Sequence, residues 1–98
     1  FLRNAQLKEY AKWRSGGKCE SCVKPAPFLS MQKEPFLEVH HIIRLIDDGV
    51  DSPFNVIALC PNCHRRAHYG IDRNDFRQLL STRVGEIERV IDGRQGIK

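Results

Sequence analysis

The stretch NVIALCPNCHRRAH, which runs from Asn55 to His68, carries the features that decide the fold. Four apolar residues, VIAL, follow Asn55 and are typical of a short buried strand. A Cys-x-x-Cys pair comes next and leads into a segment in which His64 and His68 are four residues apart. Residues with this spacing share one face of a helix, so both imidazoles can reach a single metal ion. The stretch therefore predicts a strand, a thiol pair and a metal-binding helix in direct succession.

A second group of metal-binding residues lies upstream. Cys19 and Cys22 form another Cys-x-x-Cys pair, and the segment FLEVHHI at residues 36–42 predicts a strand that ends at His40 and His41. The two strands are expected to form a hairpin with a wide loop. Four thiolates give zinc a closed tetrahedral shell with no position for water. We therefore expect one structural zinc site, which the hairpin brings together from Cys19, Cys22, Cys60 and Cys63.

Other uses of the cysteines are less consistent with their spacing. A disulfide framework requires an oxidising compartment, and the chain shows no secretory signal. A two-cysteine, two-histidine finger would leave Cys60 and Cys63 without a role. Covalent haem attachment at Cys60-x-x-Cys63-His64 would leave the first pair unexplained, and a thioredoxin-like site would need a βαβ pattern. Paired thiolate ligands in a reducing compartment fit all four cysteines, and they indicate a cytoplasmic protein.

The flanking segments are predicted to be helical. An apolar stripe over residues 4–14 indicates an N-terminal helix that ends at Gly16 and Gly17. Residues 72–92 indicate a helical C-terminal extension, either one helix weakened at Gly85 or two short ones. No apolar run approaches the length of a membrane span. The 98 residues are thus expected to form a single α+β domain whose central motif spans about residues 17–69. The first residue is Phe1, which suggests a fragment of a larger protein.

The central residues together resemble a known family. The strand segment with His40 and His41, the asparagine at position 55 and His64 on the next helix look like the HNH nuclease motif, which has a ββα-metal fold. The two cysteine pairs look like the zinc knot of many such domains. The run from Asn55 to His68 is similar to McrA-like restriction endonucleases, which act on modified DNA. The resemblance spans approximately residues 17–69 and implies a metal-dependent endonuclease.

The resemblance also implies a role for each central residue. His41 would be the general base, and Asn55 would tie the hairpin loop and hold that base in place. His40 and His64 would bind the catalytic metal. His68 is expected to be a third ligand, although a phosphate contact or a capping role also fits its position. Ligands that are rich in histidine favour Mn²⁺, Co²⁺, Ni²⁺ or Zn²⁺ over Mg²⁺, which prefers oxygen donors.

The charge distribution agrees with a DNA substrate. The chain has a formal net charge of +4. Positive charge is concentrated in residues 1–18 and 60–83, while residues 36–55 are acidic. The candidate phosphate contacts are Arg65, Arg66, Lys18 and Arg14.

Two functions are consistent with these features. The first is the cleavage module of a modification-dependent restriction enzyme. A fused DNA-reading domain elsewhere in the full-length protein would then recognise the modified DNA. The alternative is a catalytically inactive, zinc-stapled module that binds nucleic acid. The intact set of His41, Asn55 and His64 favours the enzyme. A homodimer is an open possibility, with the apolar stripe of the C-terminal extension as one candidate face.

Overall fold

The computed structural model describes residues 4–96 as a two-stranded antiparallel sheet with three helices. This architecture confirms the α+β class and the order of elements expected from the sequence. Two short 3₁₀ turns lie in the loop between the strands. None of the helices in the described range has the length and apolarity needed to cross a membrane. The five regular elements are α1 (Asn4–Ser15), β1 (Glu38–His41), β2 (Val56–Leu59), α2 (Pro61–Tyr69) and α3 (Arg73–Gly96).

The hairpin of β1 and β2 forms the centre of the fold. Its register pairs His40 with Ile57 and His41 with Val56. β1 is shorter than the expected strand at 36–42, although Ile42 still donates a backbone hydrogen bond to the carbonyl of Asn55. All four residues of β2 are buried because helices cover the strand. The strand that leads to the second cysteine pair is therefore held firmly within the core.

α3 is one continuous helix through Gly85, which decides between the two expected alternatives. Its buried residues recur every four positions, and the apolar ones among them pack with the apolar residues of β2. Leu79 and Val90, two other apolar residues of α3, are 60% and 55% exposed. The buried residues of α3 are Phe76, Leu80, Val84 and Glu88.

Arg14 joins α1 to three other parts of the fold. The side chain has no exposed surface. It forms a bidentate ion pair with Glu20, in which two guanidinium nitrogens lie 2.7 and 2.9 Å from the two carboxylate oxygens. It also donates to the Glu88 carboxylate at 2.8 Å and to the carbonyl oxygens of Pro53 and Val56 at 2.9 and 2.7 Å. These contacts use all five N–H donors of a guanidinium. Arg14 is therefore a structural residue, and its expected role as a phosphate contact is wrong.

Glu20 and Glu88 are held in the core by the same network. The backbone N–H of Glu20 donates to the carbonyl of Ala58, and its carboxylate accepts from the N–H of Ala58. Glu88 also accepts a hydrogen bond from the Tyr10 hydroxyl at 2.6 Å. Burial, followed by this hydrogen bond, raises the pKa of Tyr10 to about 12. The network thus connects α1, the first cysteine pair, β2 and α3.

Removal of Arg14 is expected to destabilise the fold strongly. Arg14→Ala would leave two buried carboxylates without their cation, so we predict a loss of about 3–5 kcal/mol in the free energy of unfolding. Urea denaturation of zinc-loaded protein measures this loss. Lys12→Ala, an exposed basic residue on the same helix, is the control and should change stability by less than about 0.5 kcal/mol. Equal effects of the two substitutions would contradict the structural role of Arg14.

Candidate metal centres and active site

The four cysteines come together in one cluster. Cys19 and Cys22 follow the turn that ends α1, while Cys60 precedes α2 and Cys63 lies in its first turn. Their sulfur atoms all lie within 4.8 Å of one another, and none forms a disulfide. The Sγ atoms of Cys22 and Cys60 are 4.0 Å apart. A tetrahedral zinc site with ordinary Zn–S bonds has a sulfur separation of about 3.8 Å, so the cluster fits the ion.

The close approach of the thiols affects their protonation. Burial opposes ionisation of Cys19, but hydrogen bonds from the backbones of Cys60, Cys22 and Ser21 outweigh it and lower the pKa to about 7. Burial and the neighbouring sulfur atoms raise the pKa of Cys63. One thiolate thus disfavours the next when no cation separates them. A divalent cation removes this repulsion and allows all four sulfurs to bind as thiolates.

Three of the four histidines form a second cluster. His40 comes from β1, whereas His64 and His68 lie one turn apart on α2. One ring nitrogen from each residue lies within 4.8 Å of the others, and the Nε2 atoms of His64 and His68 are 3.1 Å apart. Metal–nitrogen bonds of ordinary length give a separation of about 3.0 Å in octahedral and about 3.4 Å in tetrahedral geometry. We call these three residues the histidine cluster.

The imidazoles of the cluster are suited to metal binding. The pKa of His40 is lowered to about 4, mainly by burial and to a smaller extent by the charges of the neighbouring histidines. Burial and the proximity of His64 also lower the pKa of His68. Both rings are consequently neutral at neutral pH and offer a lone pair without first releasing a proton. The histidine cluster could therefore hold a divalent cation.

Two of the histidines, His64 and His41, each contact a carboxylate. The Nδ1 atom of His64 lies 2.8 Å from a carboxylate oxygen of Glu38, and the Nε2 atom of His41 lies 2.8 Å from a carboxylate oxygen of Asp51. A carboxylate accepts a hydrogen bond from a ring nitrogen that carries a hydrogen. These contacts therefore determine which ring nitrogen of each histidine is protonated in the neutral imidazole. His64 then directs Nε2 towards the histidine cluster. His41 keeps Nδ1 as its basic nitrogen.

The buried side chain of Asn55 ties the loop between the strands. Its amide oxygen accepts from the backbone N–H of Ile43 at 2.9 Å. Its amide nitrogen donates to the carbonyl oxygens of Ile43 and Val50, both at 2.9 Å. These bonds connect Ile43, two residues after β1, and Val50 in the loop to Asn55 at the end of the loop. The loop carries Asp51, the partner of His41, so Asn55 supports the position of that histidine indirectly.

His41 and the histidine cluster open onto the same surface depression. This depression has a volume of about 370 Å³ and is lined by His41 together with all three members of the cluster. The arrangement places an imidazole beside a candidate cation site, whereas Cys22, Cys60 and Cys63 line a different cavity. A family profile described as HNH endonuclease matches residues 19–70, which include both cysteine pairs and all four histidines.

The chain belongs to the HNH endonuclease family. Among curated proteins it is 37% identical over 89 residues to the type IV methyl-directed restriction enzyme EcoKMcrA of Escherichia coli (strain K12). This similarity covers 91% of the chain but 32% of the relative, so the chain spans about a third of that protein's length. Among solved structures, it matches the type IV phosphorothioation-dependent restriction endonuclease ScoMcrA with a TM-score of 0.80. The sequence identity is 30%, and the match covers 91% of this chain and 17% of ScoMcrA.

These comparisons confirm the resemblance to McrA-like HNH domains. Sequence reasoning nevertheless missed two residues of this HNH domain, Glu38 and Asp51. Glu38 had a detectable signal, because residues i and i+2 of a strand share a face and Glu38 is two positions before His40. Asp51 had no comparable signal, since the long loop gave no indication of which of its acidic residues would meet His41.

The basic residues expected to contact phosphate have different environments. Lys18 and Arg65 are exposed, and the guanidinium of Arg65 lies 5.7 Å from the centre of the Tyr69 ring. Arg66 pairs with Asp72 and lies over the Phe76 ring at 4.1 Å, which links α2 to α3. Arg66 therefore has a structural contact even though it is accessible. Lys18 and Arg65 remain predicted DNA contacts.

The two clusters are expected to bind metal independently. After dialysis, wild-type protein should retain one equivalent of zinc per chain, and a His64→Ala/His68→Ala variant should retain the same amount. Cys22→Ser should lose this zinc and unfold at a lower temperature, because structural zinc contributes directly to folding. Elemental analysis and thermal denaturation measure the two effects. Loss of the retained zinc from the histidine variant alone would contradict the assignment.

Glu38 is expected to strengthen metal binding by the histidine cluster. Substitutions of the carboxylate partner of a ligating histidine typically weaken metal binding about 10–100-fold, and we predict this loss for Glu38→Ala. Calorimetric titration of the zinc-loaded protein with Co²⁺ or Ni²⁺ measures it. Asp51→Ala is the matched control, because its carboxylate contacts His41 outside the cluster. Unchanged affinity in Glu38→Ala would refute the prediction.

Proposed function

We propose that this chain is a metal-dependent DNA endonuclease domain and the cleavage module of a restriction enzyme. The observation that carries the proposal is the surface depression in which His41, paired with Asp51, lies beside the histidine cluster. Membership of the HNH endonuclease family supports the same reaction. An inactive binding module would have no need of a basic imidazole at a candidate cation site.

His41 is the proposed general base. Hydrolysis of a phosphodiester requires that a water molecule lose a proton as it attacks phosphorus. Asp51 holds the Nε2 hydrogen of His41, so Nδ1 can accept that proton, and the carboxylate stabilises the imidazolium that results. Asn55 acts as a positioning residue because it ties the loop that carries Asp51.

His40, His64 and His68 are the proposed ligands of the catalytic cation. When bound, this cation supplies positive charge for the phosphate and for the departing 3′ oxygen. The candidate ions are Mn²⁺, Co²⁺, Ni²⁺, Zn²⁺ and Mg²⁺, and the three nitrogen donors favour the transition metals. The cysteine cluster is proposed to hold a structural Zn²⁺ that does not contact the substrate, since four thiolates complete its shell.

The proposed substrate and setting follow from the relatives. EcoKMcrA is described as methyl-directed and ScoMcrA as phosphorothioation-dependent, and both are much longer than this chain. We propose that the full-length protein is a cytoplasmic, modification-dependent restriction enzyme with a fused DNA-reading domain. One active site cuts one strand, so a double-strand break requires either a homodimer or two successive nicks.

A supercoiled-plasmid assay tests the nuclease function. Zinc-loaded wild-type protein should nick the plasmid, with higher rates in Mn²⁺, Co²⁺ or Ni²⁺ than in Mg²⁺. His41→Ala should lower the rate at saturating metal about 10²–10⁴-fold, which is the usual contribution of a general base. Calorimetry should show that its affinity for Co²⁺ is unchanged, because His41 lies outside the histidine cluster.

Three outcomes distinguish the alternatives. Equal or faster cleavage in Mg²⁺ would contradict the metal preference. Equal rates for wild type and His41→Ala would contradict the role of His41. Absence of nicking in every metal, with DNA binding retained, would favour the inactive nucleic-acid-binding module.

A further inference from the structure

A second cavity lies directly beside the histidine cluster. It has a volume of about 280 Å³, and His40 and His68 form part of its wall. Three arginines complete the polar lining: Arg44 from the loop after β1, and Arg73 and Arg77 from the first two turns of α3. The remaining lining residues are apolar. The cavity is therefore cationic, and its wall includes two of the candidate metal ligands.

The arginines of this cavity lack sufficient counter-charge within the described part of the chain. No acidic residue lines the cavity. Arg44 pairs with Asp47, in a contact in which both side chains are at least half exposed. Among the ion pairs within 4.0 Å in the described residues, none includes Arg73 or Arg77. Two guanidinium groups are thus available to an anion from outside.

The positions of Arg73 and Arg77 have a cost to the helix that an anion would remove. They are four residues apart, so their side chains share one face of α3. Like charges with this spacing repel. Asp75 is the acidic residue in the first turn of α3, but it does not line the cavity. A bound anion offsets the repulsion, because it interacts favourably with each guanidinium.

We propose that Arg44, Arg73 and Arg77 form a binding site for a backbone phosphate of DNA next to the histidine cluster. Guanidinium groups match the geometry of phosphate oxygens with paired donors. With a volume of about 280 Å³, the cavity has room for a phosphodiester group of a longer strand. The identity of the anion as DNA rests on the proposed nuclease function. The site would hold the strand so that a neighbouring phosphate meets the histidine cluster.

DNA binding at different salt concentrations tests the site without any cleavage. Fluorescence anisotropy with a 20-base-pair duplex, without added catalytic metal, gives the slope of log affinity against log salt. Each lost phosphate contact should reduce the steepness of this slope by about 0.9. Because the three arginines share one phosphate, we expect a reduction of about 0.9 in Arg73→Gln/Arg77→Gln and a smaller reduction in Arg77→Gln, with affinity about tenfold weaker for each arginine lost.

Arg89→Gln is the matched control for these variants. Arg89 is an exposed arginine on the same helix, outside the cavity, and its substitution makes the same change in net charge. Its slope should equal that of the wild type. Zinc content and thermal denaturation establish that all variants are folded. An equal change of slope in Arg77→Gln and Arg89→Gln would overturn the proposal, because the effect would then come from net charge alone.

A titration with inorganic phosphate provides a second measurement. The side-chain Nε–Hε NMR signals of Arg73 and Arg77 should shift with phosphate concentration, while that of Arg89 should not. Absence of a selective shift, together with an unchanged DNA slope, would refute the site. Failure of nicking with an Arg77-dependent slope would instead reject the nuclease function and leave the phosphate site supported. Nicking with equal slopes for Arg77→Gln and Arg89→Gln would support the nuclease and reject the site.

Discussion

The ion-pair network of Arg14 connects the parts of the structure that carry the functional residues. A guanidinium with all five donors satisfied links α1 to Glu20, to the start of β2 and to Glu88 of α3. Glu20 lies between Cys19 and Cys22, and it also pairs with the backbone of Ala58 on β2. Buried charges therefore connect the two halves of the cysteine cluster, whose four thiols are suited to bind a metal ion.

The hairpin and α2 bring the residues of the candidate active site together. β1 supplies one histidine to the cluster and presents the next, His41, to the same depression, while β2 leads directly through Cys60 into α2. Carboxylates then favour one tautomer of each imidazole: Glu38 contacts His64, and Asp51 contacts His41. Because one carboxylate contacts a candidate ligand and the other contacts the proposed base, the proposed metal binding and proton transfer would depend on different acidic residues.

Much of the site was predictable from local spacing. The Cys-x-x-Cys pairs, the histidine doublet and the separation of His64 from His68 are properties of short segments, and the structure places their side chains in two clusters. The basic residues were less predictable. Arg14 and Arg65 are both arginines near candidate metal-binding segments. The side chain of Arg14 is buried against the nearby Glu20 and the distant Glu88, whereas Arg65 is exposed. Charge along the sequence does not distinguish these environments.

The sequence by itself predicted the α+β architecture and the four-thiol cluster, because strand and helix periodicity and the spacing of cysteine pairs are local properties. The family resemblance added His40 and His64 as expected ligands, while His68 kept three possible roles until the structure placed it in the histidine cluster. Only the tertiary structure decided that Arg14 is a core residue, that Asp51 meets His41, and that Arg44, Arg73 and Arg77 share a cavity. These contacts join residues from separate elements, and their energies depend on burial and on the partner that each charge finds. Neither quantity exists until the hairpin, α2 and α3 pack together.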